Sequence, residues 1–175
     1  DVKSFEYSTA AFGSKPSLAK CAAILKTEIE NRYSTYSAIA LIAHSQGGLV
    51  ARRFIAERIN SGQPLSVDRL LTFATPHQGS GLASLLKRVP FSSQQADDLD
   101  PNSEFLQALA VAWGQAKPEL RGVLTKYVVA AEDAVVGQVS AMGHWSPGYE
   151  VIGGVGHKAV VKPKTAEDAS FVIAK

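Results

Sequence analysis

The hydrophobic positions along this chain switch between two periods, and that switching predicts its elements. Within residues 17–33, Leu18, Cys21, Ala22, Leu25, Ile29 and Tyr33 recur three or four apart, the spacing of an amphipathic helix with one buried stripe. Residues 37–43 (SAIALIA) are a short, unbroken apolar run, which suits a central strand covered on both faces. Residues 46–59 return to the helical period and stop at Ser61-Gly62-Gln63-Pro64. Residues 69–74 (RLLTFA) form the next apolar strand, closed by Thr75-Pro76. Asp100-Pro101 reads as an N-cap with proline in the first helical position, and Phe105, Leu106, Leu109, Ala112 and Trp113 give that helix its buried face. Residues 124–131 (LTKYVVAA) and 149–152 are two more strands, and residues 166–174 a closing helix. At the front, residues 2–7 (VKSFEY) are rich in β-branched and aromatic side chains and run into a Ser/Thr/Gly/Pro stretch, the pattern of a strand and its loop. Strand and helix alternate throughout. The expected fold class is therefore α/β: a mostly parallel sheet with helices on both faces, in one domain over residues 1–175.

Composition narrows the function classes. An apolar fraction of 46% with 19% charged residues belongs to a globular chain, not a disordered or fibrous one. The net charge is only +2, and no Lys/Arg block is interleaved with aromatics, so no nucleic-acid partner is expected. One cysteine, Cys21, cannot form an internal disulfide and leaves a Cys/His zinc site without ligands, so no metal is expected. It lies on the helical apolar stripe and reads as a core residue. No apolar run is long enough to span a bilayer, and no leader pattern follows Asp1. With a single cysteine, this favours a cytoplasmic location.

The chemistry enters at Ala43-His44-Ser45-Gln46-Gly47, where a strand ends and a helix begins. This is the nucleophile-elbow pattern G-x-S-x-G with alanine in the first small position. So tight a turn holds the serine in strained dihedrals and lifts its hydroxyl clear of the sheet. Side chains two before and two after it would collide with the neighbouring strand and helix, which calls for Ala43 and Gly47. The helix N-terminus favours the oxyanion formed in acyl transfer, and the Gln46 N–H is the expected donor to it. The bland alternative is a serine capping a glycine-rich helix start. The preceding buried strand and the amphipathic helix behind Gly48 favour the elbow.

Two stretches together, residues 39–53 (IALIAHSQGGLVARR) and 72–80 (TFATPHQGS), resemble the serine esterases of the α/β-hydrolase superfamily. That group includes lipase-like proteins and the inositol deacylases of GPI-anchor processing. The resemblance runs from Phe5-Glu6-Tyr7 to the last helix and implies an α/β-hydrolase fold. It also implies hydrolysis of an ester or thioester of a lipid-like or other acyl group, without naming the substrate.

In this fold the partners of the serine follow in the order acid, then histidine. Asp133 stands after the strand 124–131, and Val135 and Val136 put it in the D-x-x-V pattern of the family's acid loop; Glu132 is the adjacent competitor. Of four histidines, His44 is expected to point away from Ser45, because adjacent residues at a strand end face opposite sides. His77 lies in the loop that the resemblance puts near the elbow, in a structural hydrogen-bonding role. His157 follows the last strand behind Gly153-Gly154-Val155-Gly156, and glycines let that loop bend back toward Ser45. His144 is its competitor.

The expected activity is cleavage of a carboxylic ester through an acyl-enzyme on Ser45, with His157 as base and Asp133 orienting it, and with no cofactor. The partner is a small-molecule acyl ester; a substrate at a membrane surface is compatible with the resemblance. Two rival readings are a hydrolase-like interaction or regulatory module, and an acyltransferase using the same residues. Residues 79–99 read equally as an apolar acyl-binding wall (Leu82, Leu85, Leu86, Val89, Pro90, Phe91) or as a short helix burying its own face. No His-Gly loop precedes Ser45 to supply a second oxyanion donor. The family's sheet order puts a further strand between residues 2–7 and 37–43, so the chain is expected to be the C-terminal portion of a longer one.

Overall fold

The apolar runs pair as parallel strands in the computed structural model, which describes residues 1–6, 16–79, 93–142 and 148–175. The elements are α1 (Leu18–Arg32), β1 (Ile39–His44), α2 (Gln46–Asn60), β2 (Val67–Phe73), α3 (Ser93–Asp98), α4 (Glu104–Ala116), β3 (Leu124–Ala130), α5 (Gln138–Met142), β4 (Glu150–Ile152) and α6 (Ala169–Ala174). The sheet runs in the order β1-β2-β3-β4, every neighbouring pair parallel. Parallel strands need crossover connections, and the helices supply them. This is an α/β fold with its sheet covered from both sides.

The two faces are covered unequally. Against one lie Leu18, Cys21, Leu25 and Ile29 of α1, Leu49, Val50, Phe54 and Ile55 of α2, and Leu106, Leu109 and Trp113 of α4. Each such side chain, fully buried, contributes roughly 1.5–3 kcal/mol. On the other face Leu71, Phe73, Val128, Ala130 and Ile152 meet Val160, with Val155, Val161 and Ile173 of α6 beside them. Alternation along β2 sends Leu70 to the first face and Leu71 and Phe73 to the second.

Several expectations need correction. Residues 1–6 form no strand and are largely exposed, although Phe5 packs on the core; Tyr7 lies outside the described residues. Among the described residues the expected first strand is therefore missing. β1 is not central: among the described residues it has β2 on one side only, and Ile42 is 56% exposed. Finally, Asp100-Pro101 does not cap α4. Asp100 Oδ1 instead accepts from the Asn102 N–H at 2.8 Å, and Ser103 is the N-cap, its Oγ accepting from the Leu106 N–H at 3.2 Å. The Asp100 carboxylate is spent on a local turn, and the hydroxyl three residues on takes the orphan amide of the helix. The residues proposed for an acyl-binding wall, Leu82 to Phe91, lie outside the described residues.

Close approach of α2 to the end of β2 sets the packing around the serine. A Cβ on Gly48 would stand 2.1 Å from Thr75 Oγ1, whereas none of the described atoms lies within 4 Å of one on Gly47. The expected reason for Gly47 is thus not met, and the tight contact falls one residue later.

Beneath this contact lies a buried polar cluster. Arg52, 1% exposed, donates from its terminal nitrogen to His77 Nδ1 at 2.8 Å, and its guanidinium carbon sits 4.5 Å from the Trp113 ring centroid. A guanidinium only donates, so His77 Nδ1 accepts and the ring proton is on Nε2, 3.3 Å from Thr72 Oγ1. The Tyr127 ring meets the His77 ring edge to face at 4.9 Å between centroids. Burial pushes the Arg52 guanidinium down to about 10. Burial first, and the Arg52 charge second, hold the His77 imidazole well below its ordinary range.

Gly48→Ala is expected to cost about 1–3 kcal/mol by overpacking against Thr75, with Gly47→Ala neutral or slightly stabilising. Urea midpoints of the two variants check this, and equal midpoints would contradict it. A second expectation concerns pH. His77 binds its proton less readily folded than unfolded, so its contribution to stability is complete above about pH 6.5 and is lost as pH falls below that value. His77→Gln should flatten the fall in Tm between about pH 7 and pH 5. An unchanged slope would show that His77 does not titrate differently in the two states.

Candidate active site

Ser45 joins β1 to α2 with φ 52° and ψ −132°, a backbone conformation that L-residues rarely adopt. The sheet enforces it. The Ser45 N–H donates to the Phe73 carbonyl at 2.9 Å, and the Ser45 carbonyl accepts from the Gly48 N–H at 3.0 Å. Between these two bonds the chain must turn from strand to helix within one residue, which aims the side chain outward. Gln46 opens α2 directly behind it.

Asp133 follows β3 in a short turn, its N–H donating to the Ala130 carbonyl at 3.3 Å. Its Oδ1 accepts from the N–H groups of Val135 and Val136 at 2.7 and 2.8 Å. The acid-loop pattern thus has a backbone explanation: two amides hold one carboxylate oxygen and leave Oδ2 directed elsewhere. That oxygen stands 2.8 Å from His157 Nδ1, and His157 Nε2 stands 3.1 Å from Ser45 Oγ. The Asp133 side chain is 1% exposed and that of His157 11%, so the carboxylate is shielded while the ring edge reaches the surface. A carboxylate accepts from Nδ1–H, which leaves the Nε2 lone pair for the serine hydroxyl proton.

The loop after β4 makes this reach possible. Gly154 has φ 73°, in the left-handed region, and a Cβ on Gly156 would come within 3.4 Å of the Glu132 carbonyl oxygen. The Glu132 N–H donates to the Val155 carbonyl at 3.3 Å, so the acid loop and the histidine loop lie side by side. Glu132 itself is exposed. His144 lies outside the described residues. His77 belongs to the buried Arg52 cluster and touches none of these three residues in a hydrogen bond.

His44 makes no hydrogen bond to Ser45 but lies against His157: its ring centroid is 4.7 Å from that of His157, and its Nε2 is 2.7 Å from the His157 carbonyl oxygen. Burial, the largest influence, holds its imidazole below the ordinary range.

Among the described residues, no three His, Cys, Asp or Glu side chains gather as metal ligands, and no helix is long and apolar enough to cross a membrane.

Several solved structures share this arrangement of strands and helices. Phospholipase PlaB from Legionella pneumophila, in complex with thio-NAD, is 21% identical with a TM-score of 0.59 over 67% of this chain and 27% of that one. A carboxylesterase structure from the thaumarchaeon Nitrososphaera gargenis is 18% identical with a TM-score of 0.50, over 85% of this chain and 68% of that one. RedJ with a polyethylene glycol molecule in its active site is 16% identical with a TM-score of 0.50, over 90% of this chain and 71% of that one. The chain spans about a quarter of the length of the phospholipase it matches. At such identities the likeness is one of fold, and the fold is that of the α/β-hydrolases. No curated protein matches the chain in sequence. The residues from 14 to 142 match one family along their whole length, and the chain belongs to it: the family described as Domain of unknown function (DUF7379).

Proposed function

We propose that the chain is a serine hydrolase that cleaves a carboxylic ester through an acyl-enzyme on Ser45. One observation carries the reading: an unbroken hydrogen-bonded line from Asp133 Oδ2 through His157, 2.8 Å to Nδ1 and 3.1 Å from Nε2 to Ser45 Oγ, ending on a serine at a strained turn. A nucleophile, a base within reach and a third group orienting the base are what activation of a serine hydroxyl requires.

In this mechanism Ser45 Oγ attacks the ester carbonyl carbon while its proton passes to His157 Nε2. Asp133 stabilises the imidazolium so formed and holds it in register. The Gln46 N–H, at the N-terminus of the 15-residue α2, donates to the developing oxyanion and adds the favourable end of the helix dipole. His157 then gives its proton to the leaving alcohol. Water, activated by the same imidazole, releases the acid. The substrate class is a lipid-like or other acyl ester, the class that the resemblance to lipase-like esterases and inositol deacylases implies. The same residues support transfer to another alcohol if water is outcompeted.

A fluorophosphonate probe should label the full chain at Ser45, and Ser45→Ala should abolish the label and lower kcat by about 10⁴-fold or more on p-nitrophenyl esters of graded acyl length. Labelling that survives Ser45→Ala overturns Ser45 as nucleophile. Failure of the folded wild-type protein to label or turn over any ester overturns the hydrolase reading in favour of an interaction module. Asp133→Asn should retain the fold yet lower kcat by about 10³–10⁴-fold, because an amide favours the wrong imidazole tautomer. Full activity in that variant would remove Asp133 from the mechanism.

A further inference from the structure

The mechanism above uses three side chains and leaves His44 without a task. Yet His44 is the residue covalently joined to Ser45, and its side chain reaches the backbone of the residue that carries the base. Its Nε2 lies 2.7 Å from the His157 carbonyl oxygen, with the two rings 4.7 Å apart and tilted by 48°. A carbonyl only accepts, so His44 carries its proton on Nε2 and donates.

His157 sits at the end of a glycine-rich stretch, residues 153–156, whose backbone has unusual freedom. The bond from His157 Nδ1 to Asp133 orients the ring but does not hold the main chain. The bond from His44 does. His44 is itself fixed as the last residue of β1, paired in register with Phe73 of β2, the residue whose carbonyl receives the Ser45 N–H. Two hydrogen bonds therefore close a circuit: Ser45 to His44 through the chain, His44 to the His157 carbonyl, and His157 Nε2 back to Ser45 Oγ.

We propose that His44 is a positioning residue for the base, its Nε2–H bond to the His157 carbonyl setting the distance between His157 Nε2 and Ser45 Oγ. The inference rests on the triad reading of the preceding subsection. The ionisable groups that bear on His44 are His157 and Asp133 beside it and Lys162 from the following segment. Burial keeps the ring on the neutral side, which avoids a second positive charge next to the imidazolium formed during turnover.

Two substitutions separate donation from bulk. His44→Phe keeps a ring and removes the donor; His44→Gln removes the ring and keeps an N–H at comparable reach. His44→Phe should lower kcat on a p-nitrophenyl ester about 10–100-fold with KM within about threefold, since a small displacement of a reacting group is costly. The rate of fluorophosphonate labelling should fall in parallel, and His44→Gln should recover most of both losses. A third measurement needs no substitution: long-range ¹⁵N spectra of the wild-type protein should give His44 as the neutral Nε2–H tautomer. Three results would overturn the role: wild-type kinetics in His44→Phe, an equal loss in His44→Gln, or an Nδ1–H tautomer for His44. A wild-type protein that never labels at Ser45 would instead overturn the triad, and the role of His44 with it.

Discussion

The hydrogen bond from the Ser45 N–H to the Phe73 carbonyl is one step of a staircase on which the whole site depends. Each parallel pairing continues one residue beyond its strand: Ser45 onto Phe73, Ala74 onto Val128 at 2.8 Å, and Ala131 onto Ile152 at 2.9 Å. All three steps lie at the carboxyl ends of the strands, the edge at which open α/β sheets hold their ligands. Two of these residues, Ser45 and Ala74, have positive φ, 52° and 47°, without being glycine. Such conformations cost on the order of 1–3 kcal/mol each and persist only where the surroundings over-determine them. Here the ladder does so, with Gly48 pressed onto Thr75 immediately behind.

The same staircase explains where the side chains of the candidate site start. Ser45 leaves from β1, the Thr75-Pro76-His77 turn from β2, Asp133 from β3 and His157 from β4, each within a few residues of a strand end. Register between strands is therefore register between functional groups. The Arg52 and His77 pair underpins the second of these turns from below, with Thr72 and Tyr127 completing its contacts on the helical face of the sheet. A buried guanidinium is tolerable because it donates to a neutral imidazole and lies on an aromatic ring, so its charge is not left uncompensated.

Much of this was legible in the sequence, and the failures have physical causes. Periodicity located α1, α2 and four strands within a few residues, because burial on a helix or strand face leaves a repeating trace. The residues that meet at Ser45, namely Asp133 and His157, were readable from their order and from glycines that permit a returning loop. Pattern failed where a choice between neighbours decides. Ser103 rather than Asp100 caps α4, since both can bond an amide and only the fold sets which amide is orphaned. Gly48 rather than Gly47 faces the tight contact, a matter of one step of helix phase. Residues 2–6 have strand-like composition but no partner among the described strands, and composition alone pairs with nothing. The packing of His44 on His157 left no trace in the sequence, because periodicity records a buried face and not a contact with a distant loop.

Cys21 has a practical consequence. Its side chain is wholly buried on α1, and burial, with the Asp98 carboxylate nearby, pushes its thiol up to about 11. The Leu18 N–H at the start of the same helix is bound to Asp98 Oδ2 at 2.8 Å, so α1 is latched to α3 beside the thiol. As the only cysteine in the chain, it reacts with an alkylating reagent only when α1 lifts from the core. The molecule thus carries a built-in clock for its own opening, read at one sulfur atom and independent of any chemistry at Ser45.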